Sequence, residues 1–205
     1  MQADAHRLTQ IKKGWEEKSL GEVCDFTQGI QVDVKFQSEA KKENQVRFLR
    51  IVDFTQGNEV PRYINNPGEK YVIGINDVSL VRYGASTGFV CKGLEGVLAN
   101  NLFRVIPKNK DEVAKDYLFV FLKSPVFQGV IKESMNGAAM PAISFGLIKD
   151  IPIPVMPLPE QRAIVTKLDA LSEQTKKLEA IYQQKLADLE ELKKSVLQKA
   201  FAGEI

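Results

Sequence analysis

Residues 159–202 read PEQRAIVTKLDALSEQTKKLEAIYQQKLADLEELKKSVLQKAFA, and this stretch decides the architecture of the chain. Its one proline, Pro159, suits the first turn of a helix, and the next helix-breaking residue is Gly203. A helix rises about 1.5 Å per residue, so a helix over this stretch would extend for roughly 66 Å. The stretch therefore predicts one long helix, longer than a domain of this size needs for its own core.

Apolar residues recur along this helix in alternating steps of four and three, which is the pattern of a coiled-coil seam. The a positions of the heptad are Leu168, Thr175, Tyr182, Leu189 and Val196. The d positions are Ile164, Leu171, Leu178, Lys185 and Leu192. Since two of these ten positions are polar, the seam is informative about how two such helices would pair.

Thr175 and Lys185 favour an antiparallel pair. In a parallel homodimer Lys185 would face its own copy, and like charges inside a seam are unfavourable. In an antiparallel pair centred near residue 180, residues whose numbers add to 360 face each other, so Thr175 meets Lys185 in one layer. Near the axis Glu179 would approach its twin, while Ile181 would meet its own copy on the opposite flank. We expect an antiparallel homodimer; the alternative is a surface helix packed on its own domain.

The bulk composition is that of a folded protein with one domain and one extended element: 205 residues, 44% hydrophobic and 26% charged. No apolar run approaches the roughly 20 residues of a membrane span, and residues 1–10 lack the pattern of a signal peptide. Cys24 and Cys91 stand in no metal or redox spacing. We therefore expect a cytoplasmic protein with reduced thiols and no membrane partner.

The net charge of +2 lies wholly before the helix, because residues 1–158 carry 20 Lys and Arg against 18 Asp and Glu. Residues 159–205 carry eight of each. This balance gives weak support for nucleic-acid binding, although a local basic surface depends on placement and not on the total.

The fold class expected is α+β, with a mixed α/β domain before the helix. We divide the chain into a leader at 1–14, a domain at 15–158 and the helix at 159–202. Short apolar runs bounded by Gly, Asn and Pro predict strands at 46–52, 71–75, 78–83, 89–91 and 102–106. Helices are predicted at 112–123, capped by Asp111, and from Ser124-Pro125 to Met135. The proline-rich residues 151–157 predict an extended connector.

The pentapeptide Asp-Phe-Thr-Gln-Gly occurs twice, at 25–29 and at 53–57. We interpret the two copies as similar transitions from a strand to a turn. The alternative is a pair of equivalent loops that both meet a ligand.

Several stretches carry a family resemblance. Residues 137–165 read GAAMPAISFGLIKDIPIPVMPLPEQRAIV and residues 197–205 read LQKAFAGEI. Upstream, Gly14-Trp15, SLGEV at 19–23, FLRIVD at 48–53 and RYGASTG at 82–88 also fit. Together these stretches resemble the specificity subunits of type I restriction–modification systems, most specifically from residue 137 onward.

The resemblance implies a non-catalytic subunit that reads one half of a bipartite DNA site and docks methyltransferase subunits, with a restriction subunit joining for cleavage. S-adenosylmethionine, ATP and Mg are then expected only on those partner subunits. The family usually carries two recognition domains and two helices per chain, whereas this chain has one of each. It is either a half-size subunit that dimerises or a fragment. An antiparallel dimer would read a palindromic site whose halves lie on the order of one DNA turn apart, ~34 Å.

Side chains that read bases or hold phosphates are mostly Arg, Lys, Asn, Gln, Ser and Thr in loops. The candidate DNA-binding residues are Gln28, Gln31, Lys35, Lys41, Lys42, Arg62, Tyr63, Asn65, Arg82, Tyr83, Ser86, Thr87, Lys92, Lys132 and Asn136. Each of them can also be read as an ordinary solvated loop residue.

Two other classes of function compete with DNA recognition. An enzyme is disfavoured because the only histidine is His6, and the chain contains no Walker loop, no dinucleotide fingerprint and no methyltransferase or nuclease motif. No catalytic, cofactor-binding or metal-ligating residue is therefore predicted. A coiled-coil scaffold whose globular head binds protein instead of DNA stays open as the alternative.

Overall fold

The computed structural model describes residues 14–135 and 142–204. The predicted leader, with His6, lies outside these ranges except for Gly14, and so does Asn136. The chain divides into two compact units, Met1–Arg162 and Ala163–Ile205. Within the described ranges, no helix combines the length and the apolar character that crossing a membrane requires.

The described residues of the first unit contain ten strands: β1 (Glu16–Ser19), β2 (Cys24–Gln28), β3 (Gln45–Leu49), β4 (Arg62–Asn65), β5 (Val72–Ile73), β6 (Val78–Val81), β7 (Val90–Cys91), β8 (Gly96–Leu98), β9 (Leu102–Pro107) and β10 (Pro152–Val155). The helices are α1 (Leu20–Val23), α2 (Ile51–Thr55), α3 (Lys115–Lys123), α4 (Pro125–Met135), α5 (Phe145–Lys149) and α6 (Leu158–Phe201). Two short 3-10 turns, Val34–Phe36 and Glu69–Tyr71, complete the described elements.

The strands form two four-stranded sheets and one two-stranded ribbon. The first sheet has the order β2-β9-β6-β7 and is antiparallel throughout. The second has the order β4-β3-β8-β5, in which only β3 and β8 run parallel. A buried apolar cluster draws side chains from both sheets, among them Phe48, Leu49, Val81, Val97 and Leu102. The predicted fold class, a mixed α/β domain followed by a long helix, is confirmed.

The predicted strand at 46–52 is wrong in its second half, because β3 ends at Leu49 and α2 begins at Ile51. Asp53 causes the change. Its carboxylate accepts a hydrogen bond from the backbone N–H of Arg50 at 2.8 Å, which satisfies a donor before the first helical turn. The apolar run looks continuous in sequence, but the chain leaves the sheet halfway along it.

The two copies of Asp-Phe-Thr-Gln-Gly differ in structure, so both interpretations of the repeat are wrong. The first copy lies in β2 and pairs with β9, whereas the second begins inside α2. Identical residues take different conformations because their partners differ: the first copy pairs with β9, whereas the aspartate of the second copy, Asp53, accepts from the N–H of Arg50 and caps α2.

The first predicted helix begins later than expected. Residues 112–114 precede α3, and Ala114, not Asp111, is its N-cap. The reason is the side chain of Gln161, because it forms hydrogen bonds with backbone groups that an earlier helical turn would use. Its Oε1 accepts from the N–H of Ala114 at 2.9 Å, and its Nε2 donates to the carbonyl of Glu112 at 2.6 Å.

The second predicted helix is confirmed as α4, with Ser124 Oγ accepting a hydrogen bond from the N–H of Phe127 at 3.3 Å. The predicted strand at 71–75 shrinks to Val72–Ile73, because a 3-10 turn occupies Glu69–Tyr71. Strands at 78–83, 89–91 and 102–106 are confirmed within two residues at each end. Neither α1 nor α5 was predicted.

The proline-rich segment is a strand and not only a connector. β10 pairs antiparallel with β1 in a ribbon of two strands, with Glu16 opposite Val155 and Ser19 opposite Pro152. A strand with a single neighbour donates hydrogen bonds from alternate residues only, so Pro152 and Pro154 can occupy the positions that need no N–H. The ribbon therefore ties the start of the domain to its end.

Candidate nucleic-acid interface

A cleft of about 650 Å³ opens beside the two sheets, and we call it the main cleft. Five separate segments of the chain build it. Its lining residues are Ile30, Gln31, Val32, Val34, Gln37, Phe48, Arg50, Ile51, Val52, Arg62, Ala85, Ser86, Ala99, Asn100 and Asn101. No Asp or Glu is among these residues.

The floor of the main cleft is the turn 99–101, which connects β8 of one sheet to β9 of the other. The segment after β2 crosses this turn closely: Gly29 donates from its N–H to the carbonyl of Leu102, and Ile30 donates to that of Leu98, both at 2.9 Å. A Cβ on Gly29 would lie 2.2 Å from the carbonyl oxygen of Ala99. Only glycine therefore lets the segment from Ile30 reach the edge of the cleft.

Arg50 forms one wall of the main cleft and is held rigidly. Its Nε donates to Asp53 at 3.1 Å and its Nη2 donates to the carbonyl of Val60 at 2.9 Å. The carboxylate of Asp53 is fully buried and also accepts from Arg47 at 3.3 Å. Two arginines thus share one carboxylate, which leaves a net positive charge behind this wall.

Arg62 also lines the main cleft, from β4 beside β3, and is held loosely. Its Nη1 lies 2.9 Å from the carboxylate of Glu39, whose side chain is mostly exposed. Such an exposed pair contributes only about 0–1 kcal/mol, so an incoming phosphate could replace the carboxylate at little cost. The main cleft therefore combines one fixed and one movable guanidinium group.

Amide side chains occupy the floor and the edge. Gln37 donates from Nε2 to the carbonyl of Val32 at 2.9 Å, which fixes the loop after β2. Asn101 lines the cleft, and its buried Oδ1 has no hydrogen-bond partner among the described residues. Amides of this kind are the usual readers of base edges.

Of the predicted DNA-binding residues, Gln31, Arg62 and Ser86 lie together in the main cleft. Lys35 lies on the exposed 3-10 turn next to Val34, a lining residue, with its Nζ 5.0 Å from the ring centroid of Phe36. Sequence reasoning missed Arg50, Gln37, Asn100 and Asn101. The signal for the last two was a pair of asparagines between two apolar runs, which marks a turn.

Other predicted residues make contacts within the domain. Arg82 donates from Nη1 to Gln28 at 2.9 Å and its guanidinium lies over the ring of Phe145. Lys92 is hydrogen-bonded to Asp116. Thr87 donates from its hydroxyl to the carbonyl of Gly84 at 2.6 Å.

The remaining predicted positions do not line the main cleft. Tyr63 exchanges backbone hydrogen bonds with Ser38, and Tyr83 forms a backbone bridge with Ala142. A further four are exposed at other places on the unit: Lys41, Lys42, Asn65 and Lys132. Asn136 lies outside the described residues.

The two cysteines are buried, and burial raises the pKa of each thiol to about 12. A thiol with such a pKa is almost fully protonated at neutral pH and is a poor nucleophile or metal ligand. No group of three or more potential metal ligands occurs within residues 14–135 and 142–204.

The second unit presents an apolar face to solvent. Eight side chains of the predicted interface are exposed in the single chain: Leu168, Leu171, Leu178, Ile181, Tyr182, Leu189, Leu192 and Val196. Ile164 is half-buried, and the polar pair Thr175 and Lys185 is exposed. A continuous exposed apolar surface of this kind usually marks an interaction site.

Two small sheets with a polar cleft that is lined by two arginines, followed by a long helix with an exposed apolar face, define a binding module. Residues 12–190 match the family model for the type I restriction modification DNA specificity domain, and the chain belongs to this family. The resemblance to type I specificity subunits is confirmed. Because the match is to a specificity domain, the prediction that the chain is not an enzyme is confirmed as well.

Similar curated proteins include the specificity subunit of the type I restriction enzyme MjaVIII from Methanocaldococcus jannaschii, 22% identical over 155 residues, which cover 76% of this chain and 35% of the relative. The EcoBI specificity subunit from Escherichia coli is 23% identical over 204 residues, covering 95% of this chain and 43% of the relative. The chain therefore spans less than half the length of these relatives.

Two solved structures share the fold. A chain from a study of complex assembly and conformational transition of the type I restriction–modification system superposes with a TM-score of 0.76 at 24% identity. The HsdS subunit of Thermoanaerobacter tengcongensis superposes with a TM-score of 0.70 at 25% identity. Each match covers nearly all of this chain, 96% and 98%, and 48% of the other.

Proposed function

We propose that this chain reads one half of a two-part DNA site through the main cleft. The observation that carries the proposal is the charge of the cleft: its only charged lining residues are Arg50 and Arg62, with no carboxylate among them. Guanidinium groups bind phosphates and the acceptor edge of guanine, and the amides of the same cleft match other base edges. Membership of a DNA specificity family supports the same assignment.

We also propose that two copies pair antiparallel through α6 and that the dimer binds an inverted repeat. The exposed apolar face and the shared layer of Thr175 and Lys185 support this pairing. Two-fold symmetry of the protein requires two-fold symmetry of the site, with halves on the order of one DNA turn apart, ~34 Å. The methyltransferase and restriction subunits would join this dimer and would carry S-adenosylmethionine, ATP and Mg.

The DNA proposal is tested by selecting bound sequences from random duplex DNA, using the protein with its methyltransferase subunits. We expect enrichment of one inverted repeat with separated halves. Arg62→Ala should weaken binding or relax the preference at one position of each half, whereas the exposed Lys132→Ala should keep the selected sequence. Enrichment of no sequence by the assembled complex would contradict DNA reading and favour a protein-binding scaffold.

The pairing is tested by measuring solution mass with light scattering. The wild type should be a dimer, and Leu171→Lys/Leu178→Lys should be a monomer, because charges would enter the seam. The matched control Ala180→Lys/Gln183→Lys adds the same charge at positions outside the seam and should stay a dimer. A monomeric wild type would contradict the proposed pairing.

The direction of pairing is tested with single cysteine variants. In an antiparallel pair Leu171 faces Leu189 of the other copy, so Leu171→Cys and Leu189→Cys should form a disulfide only when they are mixed. In a parallel pair each variant would form a disulfide with its own copy. The native thiols do not interfere because both are buried.

A further inference from the structure

The main cleft is apolar as well as basic. More than half of its lining residues carry apolar side chains: Ile30, Val32, Val34, Phe48, Ile51, Val52, Ala85 and Ala99. Contacts with phosphates and with polar base edges give these side chains no role. We infer that one of them, Val34, contacts the methyl group of a thymine in each half of the DNA site, an inference that rests on the DNA reading proposed above.

Val34 differs from the other apolar residues of the cleft. Most of the others belong to the buried cluster between the two sheets or pack against it: Phe48, Ala99, Ile30, Val32 and Ile51. Val52 is half-buried, and Ala85 exposes only a small side chain. Val34 is 75% exposed and does not belong to the cluster. The core of the domain therefore does not explain a valine at this position.

A closed 3-10 turn holds Val34 in a defined position. The N–H of Phe36 donates to the carbonyl of Asp33 at 2.9 Å, and the N–H of Gln37 donates to the carbonyl of Val34 at 3.0 Å. The side chain of Gln37 also donates from Nε2 to the carbonyl of Val32 at 2.9 Å. These bonds fix the backbone on both sides of Val34, so a contact through its side chain would require little ordering of the backbone.

Both ends of this segment are anchored as well. Before the turn, Ile30 forms a parallel bridge with Ala99 at the floor of the cleft. After the turn, Ser38 exchanges backbone hydrogen bonds with Tyr63 of β4 at 2.8 and 2.9 Å. Arg62, the residue before Tyr63, lines the same cleft. Val34 is therefore presented in the same cleft as the groups proposed to bind DNA.

The turn adds no net charge to the cleft. The Nζ of Lys35 lies 3.6 Å from the carboxylate of Asp33, and both side chains are mostly exposed. The charge of the cleft lining comes from Arg50 and Arg62. A contact by Val34 therefore affects which base is preferred and not how strongly the phosphates attract the protein.

Thymine supplies an apolar group that matches Val34. In the major groove each base pair presents hydrogen-bond donors and acceptors, and thymine alone adds a methyl group. A cleft with guanidinium groups, amides and one presented valine has partners for phosphates, for polar base edges and for this methyl group. Two arginines without a carboxylate in the lining favour a polyanion over an apolar side chain of a protein partner.

Replacing single thymines by deoxyuridine tests this contact, because deoxyuridine keeps the base pair and lacks only the methyl group. The duplex is the sequence selected by the protein with its methyltransferase subunits, and the measured quantity is the Kd of this complex for the duplex. We expect one thymine in each half at which the replacement weakens binding by about fourfold, the effect of one buried methyl group.

Val34→Ala removes the part of the side chain that would touch the methyl group. This variant should bind the thymine duplex about fourfold more weakly than the wild type and should no longer distinguish thymine from deoxyuridine at that position. The salt dependence of its binding should equal that of the wild type, because no charge is lost. The control Ile75→Ala shortens another exposed β-branched side chain, which does not line the cleft, and should keep the preference for thymine.

The results separate this inference from the proposed function. Loss of the thymine preference in Val34→Ala, but not in Ile75→Ala, would support the contact. If the complex selects a sequence whose halves lack thymine, if the wild type tolerates deoxyuridine at every thymine, or if Val34→Ala keeps the preference, the contact is wrong and the DNA reading stands. If the complex selects no sequence, the DNA reading fails and the contact fails with it.

Discussion

The guanidinium of Arg82 donates a hydrogen bond from Nη1 to Oε1 of Gln28 across 2.9 Å. Arg82 follows β6 and Gln28 ends β2, so the bond joins two strands that lie on either side of β9. Gln28 then donates from Nε2 to the carbonyl of Asn100 at 2.9 Å. The bond between the two side chains therefore supports the floor of the main cleft.

Removing either partner of this bond should destabilise the domain. We expect Arg82→Ala and Gln28→Ala each to lower the free energy of unfolding by about 1–2 kcal/mol, since each leaves a half-buried polar group unpaired. The double variant should lower the free energy of unfolding by less than the sum of the two single losses, and the difference should be about 0.5–1.5 kcal/mol. Urea unfolding of the three variants measures this coupling. Strictly additive losses would show that the bond contributes nothing.

The repeated pentapeptide provides a matched pair of glycines. Gly29→Ala should be severely destabilising, by about 3 kcal/mol or more, because its Cβ would lie within 2.4 Å of two backbone oxygens. Gly57→Ala meets no atom within 4 Å and should cost only about 1 kcal/mol for its φ of 70°. Thermal unfolding of both variants compares them directly. Equal losses would contradict the close crossing at the cleft floor.

Gln161→Ala should destabilise the globular unit by about 2–4 kcal/mol. The change leaves the N–H of Ala114 and the carbonyls of Glu112 and Met156 without their partner in a buried site. The exposed Gln183→Ala on the same helix serves as the control and should change stability by less than about 0.5 kcal/mol. Denaturant unfolding followed by the fluorescence of Trp15 reports on this region, because the Trp15 indole donates to Glu160 at 2.9 Å.

Asp77 should make stability depend on acid pH. Burial raises the pKa of its carboxyl, but the hydrogen bond from Lys115, the N–H of Gly74 and the charge of Arg104 lower it further, to a net value below the ordinary 3.8. Because the folded pKa is the lower one, the stabilisation is present above pH 3.8 and is lost as the pH falls through the lowered value.

Asp77→Asn is the variant that measures this contribution. It should cost about 1–3 kcal/mol at neutral pH, because Lys115 and Arg104 lose a charged partner. The loss relative to wild type should shrink as the pH falls below 4, which urea unfolding across a pH series would record. A loss that stays constant down to pH 2 would show that the titration of Asp77 is not involved.

The long helix and the α4 cap were predictable because their signals are local. A heptad pattern, a Ser-Pro pair and the absence of glycine can be recognised in the sequence without knowing the rest of the fold. The switch from β3 to α2 was not predictable from apolar pattern, because the carboxylate of Asp53 and not the hydrophobic run decides it.

The main cleft was predictable only in part. Arg62 and Ser86 were identified by residue type, but five segments from Ile30 to Asn101 meet there through two sheets. Arg82 has a side chain that could bind DNA, but its Nη1 already donates a hydrogen bond to Gln28, which lies 54 positions earlier in the chain. Residue type indicates what a side chain can bind, whereas the fold decides whether the side chain is already engaged.

Around the turn between β8 and β9, the residues that hold the fold differ from the residues that line the main cleft. Backbone groups of residues 98–102 form the hydrogen bonds that join this turn to its neighbouring segments. The side chains of Gln31, Arg62 and Ser86 lie at the edge of the main cleft and are not part of the described buried core. Under the proposed DNA reading, substitutions at these edge positions should therefore exchange one sequence preference for another without unfolding the domain. A scaffold arranged in this way would let the ligand preference of the cleft change by single mutations while the sheets that support it stay the same.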